Sequence, residues 1–303
     1  MTEIILHHYA ISVFSERVRL AFGLKGLSWR SVSIPTMLPK PDLLPLTAGY
    51  RRTPVMQIGA DVYCDTLLIL RKIEALQPEP TLYPGGQGLA TALSWWADKS
   101  LFWSALGVLA DTLGPKISAE FVAERKAFGF SLGAEDVKPL LHRHLQQGAA
   151  QLAWLTDMLS DGQPFILGDR VSVADLAAYS TFWLLHTQGG DVALGRLPYE
   201  GLRAWAARVA ALGHGTPIDM SATEALAIAR SAHPEPQLLG DKDPSGLKAG
   251  TAVLVRADDT GRDAVRGRLL AADGEEIVIR SEHPDAGDIN IHFPRAGFDV
   301  TAD

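Results

Sequence analysis

Three hydroxyl side chains lie within seven residues of one another near the start of the chain: Tyr9, Ser12 and Ser15, in the stretch "HHYAISVFSERVRLAFGLKGL" of residues 7–27. A strand-like run ends there and an amphipathic helix begins, so the serines fall at a helix N-terminus. A hydroxyl in that place either caps orphan backbone amides or faces a ligand that wants a hydrogen bond and the positive end of a dipole. Other reactive side chains are few. Cys64 is the single cysteine, which rules out an internal disulfide and any cysteine metal cluster, and it reads as a small buried hydrophobe. The segment "SEHPDAGDINIH", with Glu282, His283, Asp285, Asp288 and His292, lacks a metal-ligand spacing and reads as a solvated turn. No metal is expected.

The elements that must position these groups follow from periodicity. Residues 3–9 read as a strand, 15–25 as a helix closed by Gly26, and 29–34 as a second strand. A Pro-rich irregular stretch follows; 53–64 then reads as two strands around Gly59-Ala60-Asp61, and 65–77 as a helix. The order is β-α-β-irregular-β-β-α. From Ala90 to Leu212 the pattern is helical only. One start there has a nameable mechanism: Ser172 as N-cap and Asp175 as the capping-box acid, a structural pair. Trp96, Lys99 and Trp103 recur at i, i+3 and i+7 and suit the wall of an apolar pocket as well as plain core. Past residue 217 the chain reads as irregular, "HPEPQLLGDKDPSG" resembles a linker, and four short β-like runs follow.

Length and composition agree with this division. At 303 residues and 47% hydrophobic content the chain supports two or three cores. The net charge of −7 sits wholly in the tail: residues 1–218 carry 19 acidic and 19 basic side chains, residues 219–303 carry 16 and 9. Every Trp and Tyr falls before residue 217. No basic stripe with interleaved aromatics supports nucleic-acid binding, and no apolar run is long enough to span a bilayer. The N-terminus lacks the marks of a signal peptide, and a cytoplasmic home is expected.

Ser12-Val13-Phe14-Ser15-Glu16-Arg17-Val18-Arg19, then Thr53-Pro54-Val55, then Asp65-Thr66, then Gly168-Asp169 with Ser172-Val173-Ala174-Asp175 form an ordered set. On that set the first 215 residues resemble a cytosolic glutathione transferase of the serine type, with a theta- or zeta-like N-terminal motif. The resemblance implies an α+β multidomain protein: a thioredoxin-like glutathione-binding domain over 1–80 and an all-helical domain over 85–217. A linker and small mostly-β domain over 218–303 lie outside it.

It also implies conjugation of glutathione, as co-substrate, to a small hydrophobic electrophile by a homodimer. A non-catalytic binder of glutathione or hydrophobic ligands, or an interaction protein acting through its acidic tail, is the alternative. By the same resemblance Ser12 holds the sulfur and Ser15 caps the helix, with Tyr9 as a competing phenol. Thr53, Pro54 and Val55 form a cis-prolyl turn that meets the cysteinyl unit. Asp65 and Thr66 take the γ-glutamyl end, where family members often carry Glu-Ser. Arg51 or Arg52 pairs with the glycyl carboxylate, and Arg52 is the one carried forward. Trp96, Lys99 and Trp103 then border the second substrate.

Overall fold

A computed structural model of the chain describes residues 3–237 and 243–303. The elements begin with β1 (Ile5–His8), α1 (Val13–Lys25), β2 (Ser28–Ser33), α2 (Leu44–Thr47), β3 (Val55–Ile58), β4 (Asp61–Cys64) and α3 (Thr66–Leu76). Helices follow: α4 (Gln87–Trp96), α5 (Phe102–Leu113), α6 (Ala119–Phe128), α7 (Ala134–Val137), α8 (Leu141–Met158), α9 (Val173–Leu194) and α10 (Arg203–Ala210). The chain then forms β5 (Thr216–Asp219), α11 (Ala222–Ser231), β6 (Ala252–Ala257), β7 (Val265–Ala272), β8 (Glu276–His283), β9 (Gly287–Pro294) and β10 (Phe298–Ala302). The opening β-α-β-α-β-β-α order is the thioredoxin-like one that the resemblance implies; the periodicity predicts all of it except α2, a four-residue helix in the Pro-rich stretch that reads as irregular.

Two compact units result, one from residues 1–10, 28–72 and 216–303, the other from 11–27 and 73–215. In the first, ten strands make a single mixed sheet in the order β10-β6-β7-β8-β9-β4-β3-β1-β2-β5. The division expected at 217/218 therefore differs from what the strands do. β5 extends one edge beside β2 in parallel, and β9 lies parallel to β4, so the tail continues the N-terminal sheet at both ends. Part of the expected linker, residues 238–242, lies outside the described residues.

Burial explains the arrangement. β4 is buried at all four positions, and β9 is buried without a break from Ile289 to Pro294, the signature of strands covered on both faces. Ile5, Val32, Val55 and Val62 share one apolar core with Val255, Ile279, Ile291 and Phe293. At the outer edge β5 is exposed throughout and carries Pro217, which a terminal strand tolerates because its missing N–H leaves no partner unpaired. In the tail, β5 and α11 form in a stretch that reads as irregular, and the last of the four expected β-like runs divides into β9 and β10.

In the second unit α9 packs against α1, α4 and α5, and its residues Val173–Phe182 are all buried. A helix apolar on every side belongs at the centre of a bundle. Its internal hydroxyls are satisfied locally; the Ser180 hydroxyl donates to Leu176 O at 2.8 Å. At Gly190 (φ 60°, ψ −161°) the helix kinks, in a conformation that a side chain would strain. Gly107 on α5 has the His144 ring against its backbone, where a Cβ would collide. No helix among the described residues is long and apolar enough to cross a membrane.

Candidate glutathione site

α1 begins at Val13, two residues earlier than its apolar pattern suggests, and this changes the part that each serine plays. Ser12 (φ −74°, ψ 116°) is the N-cap; its hydroxyl oxygen accepts the Ser15 N–H at 3.1 Å. Ser15 is the third residue of the helix, and its own hydroxyl is buried with no partner among the described residues. The expectation that Ser15 caps is corrected: the capping oxygen belongs to Ser12. A cap must precede the first helical residue with extended backbone angles, and in a Ser-x-x-Ser pattern only the true helix start decides between the two. Ser12 is 3% exposed, and accepting at its oxygen leaves its O–H proton free to be donated.

The charged residues that follow are structural. Burial would raise the Glu16 carboxyl, but His214 and Arg19 hold it below the ordinary value, with His214 Nε2 at 3.0 Å and Arg19 Nη2 at 2.7 Å. Arg17 is buried in a bidentate pair with Asp98.

In the sheet unit, Thr53–Pro54 is cis and Val55 opens β3 fully buried, paired with His7 on one side and Cys64 on the other. Lys40 Nζ crosses behind this turn, donating to Arg51 O at 2.9 Å and Thr53 Oγ1 at 3.1 Å. Tyr9 packs its ring against the core of the same unit, with Lys40 Nζ 5.8 Å from the ring centre.

Asp65 stands at the head of α3 with a positive φ of 71°, uncommon for any residue but glycine, and its Oδ1 accepts the Leu67 N–H at 2.9 Å. Thr66, 5% exposed, is the first helical residue, where backbone N–H groups lack intrahelical partners. Such a helix head suits a carboxylate. Cys64 next to it is fully buried, and burial followed by the Asp65 charge pushes its thiol well above the ordinary value, so it stays protonated.

The arginines are engaged. Arg51 Nε meets Asp263 Oδ2 at 2.6 Å; Arg52 binds Asp259 and the carbonyl of Thr260 and lies over the Phe298 ring. Burial works against the Arg52 charge, yet Tyr50, Asp259 and Asp65 around it raise its pKa above the usual arginine value. These partners, some 210 residues away in the chain, are invisible to sequence reasoning.

In the helical unit Trp96, Lys99 and Trp103 do not form one wall. Residues Ala97–Leu101 form a π-helical turn that shifts the register between α4 and α5. Trp96 faces Trp154 on α8, Lys99 Nζ lies 4.7 Å from the Trp95 ring centre, and Trp103 packs edge-on against Phe102 and Phe130. Phe14, in the first turn of α1, joins this aromatic series through Phe102 at 5.2 Å. Ser172 and Asp175 meet as a capping pair: Asp175 accepts the Ser172 N–H at 2.9 Å and its hydroxyl at 2.8 Å.

Residues 6–81 match the family model for the glutathione S-transferase N-terminal domain, and residues 138–208 that for the C-terminal domain. A zeta class glutathione S-transferase from Euphorbia esula is 28% identical over 178 residues, 56% of this chain and 71% of that protein. A solved GST-like protein from Pseudomonas syringae is 38% identical, covers 100% of both chains and has a TM-score of 0.80. A tau class glutathione S-transferase from mango, Mangifera indica, shares the fold at 18% identity and a TM-score of 0.52, over 69% of this chain and 89% of its own. The Pseudomonas likeness thus takes in the C-terminal strands, which the family's two domain models do not reach. Both domain matches in their proper order, and a full-length relative at 38% identity, show that this chain belongs to the glutathione S-transferase family.

Proposed function

We propose that the protein is a glutathione transferase in which Ser12 holds the glutathione sulfur as a thiolate for attack on a small hydrophobic electrophile. The observation that carries this reading is Ser12 itself: a nearly buried hydroxyl at the head of α1, its oxygen occupied by an amide and its proton free to donate. A cysteine-type thiol has a pKa of about 8.5, so at neutral pH little thiolate is present. A hydrogen bond to the charged sulfur contributes about 1.5–3 kcal/mol and the helix N-terminus about 0.3–1 kcal/mol. One pKa unit is about 1.4 kcal/mol, so the two together lower the thiol pKa by roughly one to three units where they act on the thiolate. No general base is then required.

The peptide arms of glutathione fit the remaining groups. The Thr53–Pro54 turn, which Val55 anchors in the sheet, meets the cysteinyl unit, Asp65 meets the γ-glutamyl ammonium, and Thr66 with the amides of α3 takes the adjoining carboxylate. Arg52 serves the glycyl carboxylate. The aromatic series at Trp103 offers apolar surface for the electrophile, with Trp96 and Lys99 at its margin. A homodimer in the cytoplasm completes the reading.

The test is the ultraviolet difference spectrum of bound glutathione, alongside conjugation across a panel of electrophiles. Wild type shows thiolate absorbance at neutral pH and turnover; Ser12→Ala loses both while still binding the tripeptide. Thiolate formation that survives Ser12→Ala overturns the assignment, and binding without conjugation identifies a non-catalytic glutathione binder.

A further inference from the structure

The acid surplus of the C-terminal region is not spread evenly over its strands. Two of its carboxylates, Asp259 and Asp263, sit on the loop between β6 and β7 and reach the arginine pair that precedes Pro54. We propose that this loop is a built-in carboxylate competitor: Asp259, with Asp263, occupies the cationic site that would otherwise receive the glycyl carboxylate of glutathione, so the C-terminal region sets the affinity for the thiol substrate. The inference rests on the glutathione-binding reading given above.

The loop is held in place at its β6 end. β6 is paired with β10, and the Asp258 N–H bonds Gly297 O at 3.0 Å, which brings the loop to the end of the strand that carries Phe298. Arg52 lies over that ring while its guanidinium binds Asp259 and Thr260 O, so cation, aromatic face and loop form one cluster. Asp259 is itself oriented: Oδ1 accepts the Thr260 N–H at 2.6 Å.

The same guanidinium feels Asp65, the residue at the head of α3 assigned to the γ-glutamyl end. The competing carboxylate and the ligand-binding one thus act on one electrostatic neighbourhood. A ligand carboxylate approaching Arg52 meets a cation already neutralised and must exchange one ion pair for another, gaining little. Side-chain exposure ranks the two acids: Asp259 at 32% is the less screened, and Asp263 at 46% the lesser contributor.

The experiment is calorimetric titration of full-length wild type, Asp259→Asn, Asp259→Asn/Asp263→Asn and the charge control Glu282→Gln with three probes: glutathione, its glycyl monoethyl ester, and γ-glutamylcysteine. Asn keeps the size of Asp and an oxygen for the Thr260 amide. Removing Asp259 is expected to tighten glutathione about three- to tenfold, the double variant at least as much, with the ester and the dipeptide changed by less than about twofold. Glu282→Gln shifts none of them. Equal response of all three probes, an unchanged glutathione constant, or weaker binding in Asp259→Asn overturns the competitor role while leaving glutathione binding intact. No binding of any probe to any variant removes the glutathione reading and this inference with it.

Discussion

His292 on β9 meets Asp61 on β4 with its Nε2 2.9 Å from Asp61 Oδ1, across 231 residues of sequence. Its Nδ1 lies 2.6 Å from Glu276 Oε1, and Tyr63 stacks on the ring at 4.4 Å. Asn290, held by Arg280 at 2.9 Å, donates to the same Asp61 oxygen, and the Glu235 amide takes the other. Burial would lower the His292 pKa, but the two carboxylates raise it; burial would raise Asp61, but its donors hold it below the ordinary value. An imidazolium between two carboxylates therefore ties the C-terminal strands to the N-terminal sheet.

A histidine whose folded pKa is raised stabilises fully below its unfolded value of 6.5 and loses that contribution as pH rises through the folded value. Protection of β4 and β9 amides from hydrogen exchange is expected to fall with rising alkalinity above 6.5 beyond the intrinsic rate change. His292→Gln is expected to cost about 3 kcal/mol at pH 6 and to flatten the dependence. Equal pH dependence in wild type and variant contradicts the ion-pair account.

His7, in the same sheet, works in the opposite direction. Gln57 Nε2 donates to Gly59 O and Ala225 O, so its Oε1 must accept, which assigns the proton to His7 Nε2 at 2.9 Å. The other ring nitrogen is buried without a partner among the described residues, and burial lowers the pKa to about 4 against the Gln57 bond. A depressed histidine stabilises above 6.5 and loses this as pH falls toward 4, by about 3 kcal/mol in all. Urea midpoints at pH 4.5 and 7 are expected to differ less in His7→Gln, which keeps a donor for Gln57, than in wild type.

The two serines of α1 separate cleanly by substitution. Ser12→Ala removes the N-cap and is expected to cost about 1 kcal/mol in addition to the loss of thiolate. Ser15→Ala deletes a buried hydroxyl with no partner and is expected to be neutral or slightly stabilising, with turnover kept. Melting temperatures of the pair decide it; the reverse ranking returns the cap to Ser15.

What sequence reading reaches here is set by how local the interaction is. The Ser172–Asp175 pair is visible because a capping box repeats at i, i+3 regardless of tertiary context. Ser221 and Glu224 carry the same signature, with both reciprocal bonds made, and mark the start of α11 in a stretch that loop-like composition disguises. The strands of the tail are legible one by one; their union with β4 is not, because parallel pairing over more than 200 residues leaves no spacing to read. "INIHFP" in β9 even points the other way: its apolar–polar alternation is that of a strand with one wet face, yet every residue is buried, because Asn290 and His292 spend their polar groups on Asp61 of β4. The pairing of Arg51 and Arg52 with Asp263 and Asp259 leaves no trace in the sequence either.

Asp175 separates folding from chemistry. Its carboxylate is fully buried and accepts from Ile166 N, Ser172 N and Oγ, and Trp205 Nε1, each at 2.8–2.9 Å. Burial pushes its pKa up, and these donors only partly offset that. Asp175→Ala strands three N–H donors in the core of the helical unit, each costing about 1–3 kcal/mol, so a loss of about 3–5 kcal/mol is expected in urea unfolding. Asp175→Asn, with one oxygen in place of two, should fall between. Because Asp175 lies in the capping network and no substrate role is assigned to it, the folded fraction of either variant should bind glutathione with the wild-type constant. A folded Asp175→Asn protein with impaired glutathione binding would instead place this carboxylate in the ligand machinery.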